Sequence, residues 1–383
     1  MIAWFRYICL IVSLIITMPE LLSAQRLVSQ RQEDVEAGLL YNESVYILSN
    51  YSCLSSNSPE KLSLDELLRK QIEGFYFYLK RDTETNVLLL RKPDGTFTPF
   101  SESLEAIKTA LDADSTKVMT LFLDFYVETE LESSFKEIGL MEYVLEYDTK
   151  NGWPSLKDML SSGKRLVVFE VQKHLNSPSW LHNMRDFVEH TDADWGNQPE
   201  GVESFDERLK KNLSLFTGYK FLETSRGNSN DISALARQTP YLIESFKRAW
   251  IRDGRVPNFI LVDKYYAWLD VSLVTFRNFD IIYGAVTNNN ELLNYVNWDG
   301  MSNYTTGKYC FPLEPGAELM LSPISPGYRI EPATVYVSGT QRKAFASDFK
   351  ARPLRIDEDI EIYLPFEGDE KDGSSNHNLT VSR

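Results

Sequence analysis

The sequence contains little cysteine and histidine, and it has no excess of positive charge. There are three cysteines and four histidines in 383 residues, and the formal net charge is −15. This charge argues against nucleic acid and against a strongly anionic membrane surface as partners, because both favour basic patches. The four histidines are His174, His182, His190 and His377. The first three lack the i, i+4 spacing of a helical metal pair, so surface or packing roles are expected for them.

Long apolar runs are also missing. The apolar run from Tyr7 to Met18 follows Arg6 and is short for a membrane span. Ser23 and Ala24 offer a cleavage site after it, so residues 1–24 are predicted to be a signal peptide. We therefore expect a secreted, periplasmic or extracellular protein with no transmembrane segment after cleavage.

The most informative stretch runs from residue 117 to residue 171. Val118–Tyr126 and Leu166–Val171 are apolar runs of strand length, which is typical of parallel strands covered on both faces. The residues between them are too many for a hairpin and suit a crossover helix. A short helix before the second strand is predicted from a cap at Ser155 and a stop at Gly163. This order predicts a βαβ unit.

Strand and helix signals continue to alternate through most of the chain, which favours an α/β fold of the (β/α)₈ TIM-barrel type. Helix caps are predicted at Ser63 and Ser204, and residues 86–90 are expected to pair beside the second strand as an excursion. The eight predicted barrel strands are residues 45–48, 75–79, 118–126, 166–171, 191–195, 217–222, 259–262 and 281–285.

Composition changes after Gly300, where Gly and Pro become frequent. Short runs at 319–321, 334–337 and 360–364 predict a small β appendage, and the charged end predicts a disordered tail. The predicted organisation is a signal peptide at 1–24, a loose polar lead-in at 25–41, a barrel at 42–312, a small β-rich domain at 313–366 and a tail at 367–383.

Two segments resemble a known family. The first has the pattern W-P-S-L-x-x-M followed by R-L-V-V-F, formed by residues 153–159 and 165–169, and the second is GRVPNFILVDKYY at 254–266. Both resemble the secreted X-domain type of phosphatidylinositol-specific phospholipase C. The resemblance implies a (β/α)₈ barrel that cleaves phosphodiesters, usually of phosphoinositides.

The family uses two histidines as acid and base, one after the first strand and one near the second. An imidazole suits both roles because its pKa lies near the working pH. Here Ser49 stands at the first position, and Arg91 or Lys92 stands at the second. The family's G-V-R segment reads GFYFYLK, with aromatics and Lys80 at the positions of its Arg and acidic residue. No histidine precedes the fourth strand, so no change of alignment restores the pair.

Several residues at predicted strand ends remain candidates. Asp124 and Asp263 are the catalytic candidates, and hydrogen bonding at the barrel mouth is their alternative role. Arg91 and Lys92 are candidates for phosphate binding, with a solvated turn beside Pro93 and Gly95 as the alternative. Further ligand-binding candidates are Asn50 and Lys80. No metal ligands or cofactor are predicted; the resemblance alone suggests Ca²⁺, which these residues do not support.

Cys53 and Cys310 are the cysteines that remain after signal cleavage. In a closed barrel the first and eighth strands are neighbours, so both residues are expected at the same seam. An oxidising compartment favours a disulfide between them. Two buried thiols are the alternative.

Three functional hypotheses follow. The leading one is a catalytically degenerate barrel that binds a phosphorylated, sugar or lipid headgroup ligand. The second is an active phosphoric diester hydrolase with a rearranged site. The third is a scaffold that contacts an extracellular or envelope protein partner through the β appendage.

Overall fold

The computed structural model divides the chain into two compact units. The first comprises residues 1–246 and 256–278, and the second comprises residues 247–255 and 279–383. The structure describes residues 31–52, 62–70, 72–125, 131–147, 150–172, 177–191, 215–219, 247, 250–251, 254–262, 276–301, 304–339 and 341–355.

The first unit is a mixed α/β structure, as the alternation of sequence signals predicted. Its strands are β1 (Tyr46–Ser49), β2 (Gly74–Arg81), β3 (Leu88–Arg91), β4 (Phe97–Pro99), β5 (Met119–Asp124), β6 (Leu166–Glu170), β7 (Leu181–Asn183), β8 (Val188–Thr191), β9 (Leu215–Tyr219) and β10 (Phe259–Val262). Its α-helices are Leu64–Arg69, Phe100–Ala113, Leu131–Ile138, Leu156–Ser162 and Met184–Phe187, and short 3₁₀ turns lie at Tyr41–Glu43 and Leu140–Glu142.

Eight of these strands form one continuous parallel path in the order β7-β6-β5-β2-β1-β10-β9-β8. The path is open, because β7 and β8 are its two ends and do not pair in the described part of the chain. The sheet is therefore not a closed barrel. The two end strands are consecutive in sequence and are joined by the helix Met184–Phe187.

Two barrel strands differ from the sequence prediction. The fifth, at 191–195, touches only the last residue of β8, and its other four residues lie outside the described residues. The eighth, at 281–285, is wrong, because it belongs to the second unit. Residues 281–285 resembled a buried barrel strand in the sequence because both faces of this strand carry apolar residues, including Tyr283 and Ala285 on the less buried face.

The predicted βαβ unit is confirmed, since β5 and β6 pair in parallel from Met119↔Leu166 to Leu123↔Glu170. The predicted excursion is also present, as β3 pairs antiparallel with β2. Ser63 and Ser155 cap their helices as the sequence indicated, each accepting a hydrogen bond from the backbone N–H three residues later. Gly163 ends its helix with a positive φ of 74°.

Family-motif residues have structural roles. Trp153 packs on Tyr41, with ring centroids 4.9 Å apart. The buried guanidinium of Arg165 donates to the carbonyls of Leu111 and Asp114 at 2.9 and 2.6 Å, at the carboxyl end of the helix Phe100–Ala113. Unsatisfied carbonyls at a helix end favour a cation there. Asn258 similarly donates to the Ser44 carbonyl at 3.1 Å and so anchors β10 beside the entry to β1.

The polar lead-in is not loose over its described part. Residues 31–36 are helical, and Arg31 and Asp34 are buried. Arg31 pairs with the carboxylate of Glu73, which also lies 2.9 Å from Arg277 Nη2 and accepts a hydrogen bond from the backbone N–H of Ile47 at 3.2 Å. The sequence suggested a loose lead-in because the segment is polar. Burial of Arg31 and Asp34 is possible because their charges find partners. We call Arg31, Asp34, Glu73 and Arg277 the buried ion network.

The second unit consists of β-strands around an apolar core. Its strands are β11 (Asp280–Asn288), β12 (Glu291–Leu292), β13 (Val296–Trp298), β14 (Tyr304–Thr305), β15 (Lys308–Leu313), β16 (Glu318–Leu321), β17 (Pro323–Ile324), β18 (Tyr328–Glu331), β19 (Val335–Ser338) and β20 (Lys343–Pro353). β16 and β19 coincide with the predicted runs at 319–321 and 334–337, whereas 360–364 and the predicted tail lie outside the described residues. The unit resumes at Phe279, whereas the sequence placed the start of the appendage at residue 313.

The main sheet of the second unit has the order β12-β11-β20-β18, with β15 also paired to β11. A register shift interrupts the pairing of β11 with β20 between Tyr283 and Ala285. Gly284 lies at this irregularity, and an added Cβ would meet Ser347 O at 2.1 Å. One face of this sheet packs on the core, which includes Ile282, Trp298 and Phe311.

Candidate functional site

The carboxyl ends of β2 and β5 bring two tyrosines and an aspartate together. Tyr78 and Asp124 are paired in the parallel ladder, so their side chains share one face of the sheet with that of Tyr76. Tyr76 donates its hydroxyl hydrogen to Asp124 Oδ2 at 2.9 Å. Asp124 Oδ1 is buried and has no hydrogen-bond donor among the described residues. A buried acceptor of this kind usually has a partner, and here a ligand could supply the donor.

The end of β1 is joined to this face through a serine. Ser52 Oγ accepts a hydrogen bond from the Tyr78 N–H at 2.8 Å and donates to the Arg91 carbonyl at 3.0 Å. One hydroxyl therefore fixes β2 and β3 against the segment that follows β1. Asn50, a predicted ligand-binding residue, is buried in the same segment.

Ser49, at the position of the family's first histidine, ends β1. In the parallel ladder it pairs with Phe75 and with Val262, which alternate with Tyr76 and Leu261. Its side chain therefore lies on the sheet face opposite to Tyr76 and Asp124. A serine hydroxyl at this position also lacks the near-neutral pKa that makes an imidazole a good acid or base.

The predicted basic residues lie on the antiparallel excursion of β2, β3 and β4. Lys80 is exposed, and its Nζ lies 3.7 Å from the Phe97 ring centroid, within the range of a cation–π contact. Arg91 Cζ lies 5.9 Å from the centroid of the Tyr78 ring. Lys92 begins a tight turn, in which its N–H donates to the Thr96 carbonyl at 2.8 Å. Arg91 is thus the predicted cation that contacts the tyrosine face.

A second polar group occupies the end of β6 on the opposite sheet face. Glu170 pairs with Leu123 and is buried. It accepts hydrogen bonds from Ser177 Oγ at 2.5 Å and from Asn183 Nδ2 at 3.3 Å. With donors to both carboxylate oxygens, this group is suited to holding the end of β6 in place.

His182 lies on β7 among aromatic rings, including those of Trp153 and Phe169. Burial lowers the pKa of its imidazole, against a smaller raising effect from the hydrogen bond between Nε2 and the Leu145 carbonyl. The side chain is buried and mostly surrounded by carbon atoms. This environment agrees with the packing role that the sequence analysis expected for it.

Two predicted residues lie outside the described part of the chain, and a third lies in the second unit. Asp263 and Cys53 lie outside the described residues. Cys310 is buried on β15, and the Trp250 indole N–H donates to its Sγ at 3.0 Å. No disulfide is present in the part of the chain that the structure describes, and the pairing with Cys53 stays a prediction.

Tyr76 and Tyr78 were not singled out by the sequence analysis. The signal was the two-residue alternation in GFYFYLK, which places Tyr76, Tyr78 and Lys80 on one face of a strand. Within the described ranges, no three His, Cys, Asp or Glu residues are grouped so that they could hold a metal ion. The same ranges contain no helix with the length and hydrophobicity of a membrane span.

Comparison with known proteins gives one family match. The model of the PI-PLC X 1 family matches residues 90–199, which include β5, β6 and the βαβ unit. No curated protein matches the chain.

Several solved structures are similar at low identity. Phosphatidylinositol-specific phospholipase C from Listeria monocytogenes is 13% identical, with a TM-score of 0.39, over 64% of this chain and 98% of that one. The Staphylococcus aureus enzyme is 13% identical, with a TM-score of 0.38, over 62% of this chain and 94% of that one. PLC21 of L. pealei is 12% identical, with a TM-score of 0.34, over 59% of this chain and 31% of that one.

The PI-PLC X 1 match covers residues 90–199, and this part of the chain is therefore similar to the X domain of phosphatidylinositol-specific phospholipase C.

Proposed function

We propose that this protein is a secreted, catalytically degenerate member of the family that binds a phosphorylated, sugar or lipid headgroup ligand. The observation that carries the proposal is the replacement of the acid–base histidines. Ser49 ends β1, tyrosines line β2, and Arg91 ends β3. None of these side chains has an ordinary pKa near neutrality, which general acid–base catalysis at neutral pH requires.

The binding site in this proposal is the face formed by Tyr76, Tyr78 and Asp124, with Arg91 beside it. Asp124 Oδ1 would accept a hydrogen bond from a ligand hydroxyl, since no described residue donates to it. The tyrosine rings would supply apolar contact area, as they do in many small-molecule sites. The Arg91 guanidinium would favour an anionic group such as a phosphate.

The proposal includes a distorted barrel. Only the helix Met184–Phe187 separates β7 from β8, and the two strands pair with the opposite ends of the sheet. We propose that β7 and β8 are the two halves of one interrupted strand. The barrel would then be closed by the covalent connection between them, the helix Met184–Phe187, and not by hydrogen bonds between the two strands. An experimental structure in which the two halves diverge would exclude this closure.

The test of the proposed function combines turnover with binding. Purified mature protein should not hydrolyse phosphatidylinositol at the ~1–10³ per second typical of enzymes. Titration calorimetry with inositol phosphate should show binding that Asp124→Asn and Arg91→Gln weaken. Lys157→Gln is a matched control for loss of a cation, because Lys157 is exposed on the helix Leu156–Ser162.

An active hydrolase with a rearranged site is the second candidate. The unsatisfied Oδ1 of Asp124 favours it, because a carboxylate oxygen without a donor can accept a proton from a substrate hydroxyl. Turnover that Asp124→Asn or Asp263→Ala abolishes would establish this candidate and reject the degenerate one. Absence of both turnover and binding, with co-purification of an extracellular protein, would instead favour the scaffold hypothesis.

A further inference from the structure

The second unit carries a surface whose composition contrasts with that of the whole chain. Between residues 279 and 355 there are seven acidic and seven basic residues, whereas the whole chain has a net charge of −15. Because residues 279–355 have no net formal charge, a local basic surface can form in this region of an acidic protein. The register of the main sheet shows where that surface lies.

Pairing assigns one set of side chains to the solvent face of the sheet. Tyr283 is opposite both Cys310 and Phe345, Ala285 is opposite Lys308, and Thr287 is opposite Lys350. Directly paired residues share a sheet face, as do residues two apart along a regular strand. The neighbouring residues of β11 on the opposite face, Ile282 and Val286, lie in the apolar core. The face that carries Tyr283 is therefore opposite to the core. Ile281 and Cys310 share this face but are buried, with the Trp250 indole on Cys310, so the exposed outer part of the face begins at Tyr283.

Exposed apolar side chains lie on this outer face. Tyr283 is 37% exposed and Phe345 is 54% exposed, and their ring centroids are 5.7 Å apart in an edge-to-face arrangement. Leu292, which pairs with Thr287, is 51% exposed. Two adjacent aromatic rings and a leucine are thus exposed apolar groups on this part of the face.

Basic side chains surround these apolar groups. Five of them share the outer face by register, and two acidic residues, Asp348 and Glu331, accompany them. Lys343 Nζ lies 5.4 Å from the Tyr283 ring centroid, so at least one of the basic side chains contacts the aromatic pair directly. The five basic residues are Lys308, Lys343, Lys350, Arg352 and Arg329. We call these residues, with Tyr283, Phe345 and Leu292, the basic aromatic face.

We propose that the basic aromatic face docks on an anionic lipid membrane surface. Aromatic side chains favour the interface between headgroups and acyl chains, and nearby lysines and arginines are attracted to anionic lipid. A purely polyanionic partner would use the cations but would leave Tyr283, Phe345 and Leu292 in water. The combination of charge and exposed apolar area thus favours a membrane.

The net charge of the chain does not prevent this contact. Charges more than about 8 Å away are largely screened at physiological ionic strength, so the groups nearest to the membrane dominate the interaction. In the sequence analysis the net charge argued against a strongly anionic membrane surface, but net charge is an average over the whole protein surface and does not report a local basic face. The proposal does not depend on the ligand of the tyrosine face, because vesicles without inositol lipid can test it.

The experiment is co-sedimentation of the full mature chain with two kinds of vesicle. One kind is phosphatidylcholine alone, and the other is phosphatidylcholine mixed with phosphatidylserine. We expect binding to the mixed vesicles only, and we expect added salt to weaken it. Lys308→Gln and Lys350→Gln should each reduce partitioning about fivefold, the equivalent of about 1 kcal/mol per basic residue near the surface.

Matched variants separate docking from folding. Phe345→Ser should reduce binding to mixed vesicles, whereas Tyr336→Ser should not, because Tyr336 is exposed on the separate β16–β19 sheet. Lys157→Gln controls for the loss of one charge elsewhere. The lysine variants have exposed side chains and should retain the wild-type melting temperature.

Three outcomes would overturn the proposal. They are no binding to mixed vesicles, equal binding to both kinds of vesicle, and binding that the face variants leave unchanged. Binding to a soluble sulfated polysaccharide without binding to vesicles would assign the face to an acidic polymer instead. Loss of inositol phosphate binding with retained vesicle binding would reject the proposed headgroup function and leave the docking proposal intact.

Discussion

The two units bury their interiors in different ways. The first unit holds two arginines and two carboxylates below 10% exposure, in the buried ion network. The second unit surrounds Ile282, Trp298, Phe311 and Phe349 with other apolar side chains, and its basic residues are mostly on its surface. The first unit has an apolar core as well, and the second also buries Asp280 and Arg342. Stability should therefore depend on charge pairing as well as packing in the first unit, and mainly on packing in the second.

The largest effect is expected in the buried ion network. Glu73→Gln removes the carboxylate that pairs with Arg31 and Arg277, so both guanidinium groups lose their shared partner in a buried site. Breaking a buried pair in this way costs about 3–5 kcal/mol of the free energy of unfolding. Urea denaturation, followed through the fluorescence of the first unit, measures it. Glu132→Gln is the control, because its pair with Lys136 is exposed and is worth about 0–1 kcal/mol.

A slightly smaller loss is expected in the apolar core of the second unit. Ile282→Ala leaves a cavity beside fully buried side chains and should cost about 2–5 kcal/mol. Leu292→Ala, at an exposed position, should cost much less. Calorimetry of both variants measures the difference. Equal losses would mean that the second unit tolerates a core cavity and would weaken the contrast between the units.

The smallest effect is the pH dependence that His182 gives to the first unit. Burial lowers the pKa of this imidazole below its unfolded value of about 6.5, so the unfolded chain binds more protons as the pH falls. The contribution is fully present above about pH 6.5 and is lost on acidification, by at most about 1.4 kcal/mol per pH unit. Denaturation from pH 7.5 to 5.5 should show a shallower decline in His182→Gln than in the wild type. An identical slope would show that unfolding does not change the pKa of the His182 imidazole.

Helix caps and short apolar strands could be predicted from the sequence. Ser63 and Ser155 cap helices, and the strand at 259–262 has the predicted bounds, because caps and short apolar runs act over a few residues. The candidate site was only partly predictable. Asp124 lies at a strand end as expected, whereas its partner Tyr76 is 48 positions away in sequence. Only the pairing of β2 with β5 brings them together.

The sequence by itself determined the strands β1, β2, β5, β6 and β10, the parallel βαβ unit and the absence of a histidine before β6. These follow from residue types and from periodicities of two and 3.6 residues. The tertiary structure alone decided that residues 281–285 belong to a different sheet, that Arg31 and Asp34 of the lead-in are buried, and that basic side chains of an acidic chain share one face. The physical reason is that burial, strand pairing and local charge depend on which segments, distant in sequence, come into contact. A pattern that spans only a few residues does not contain this information.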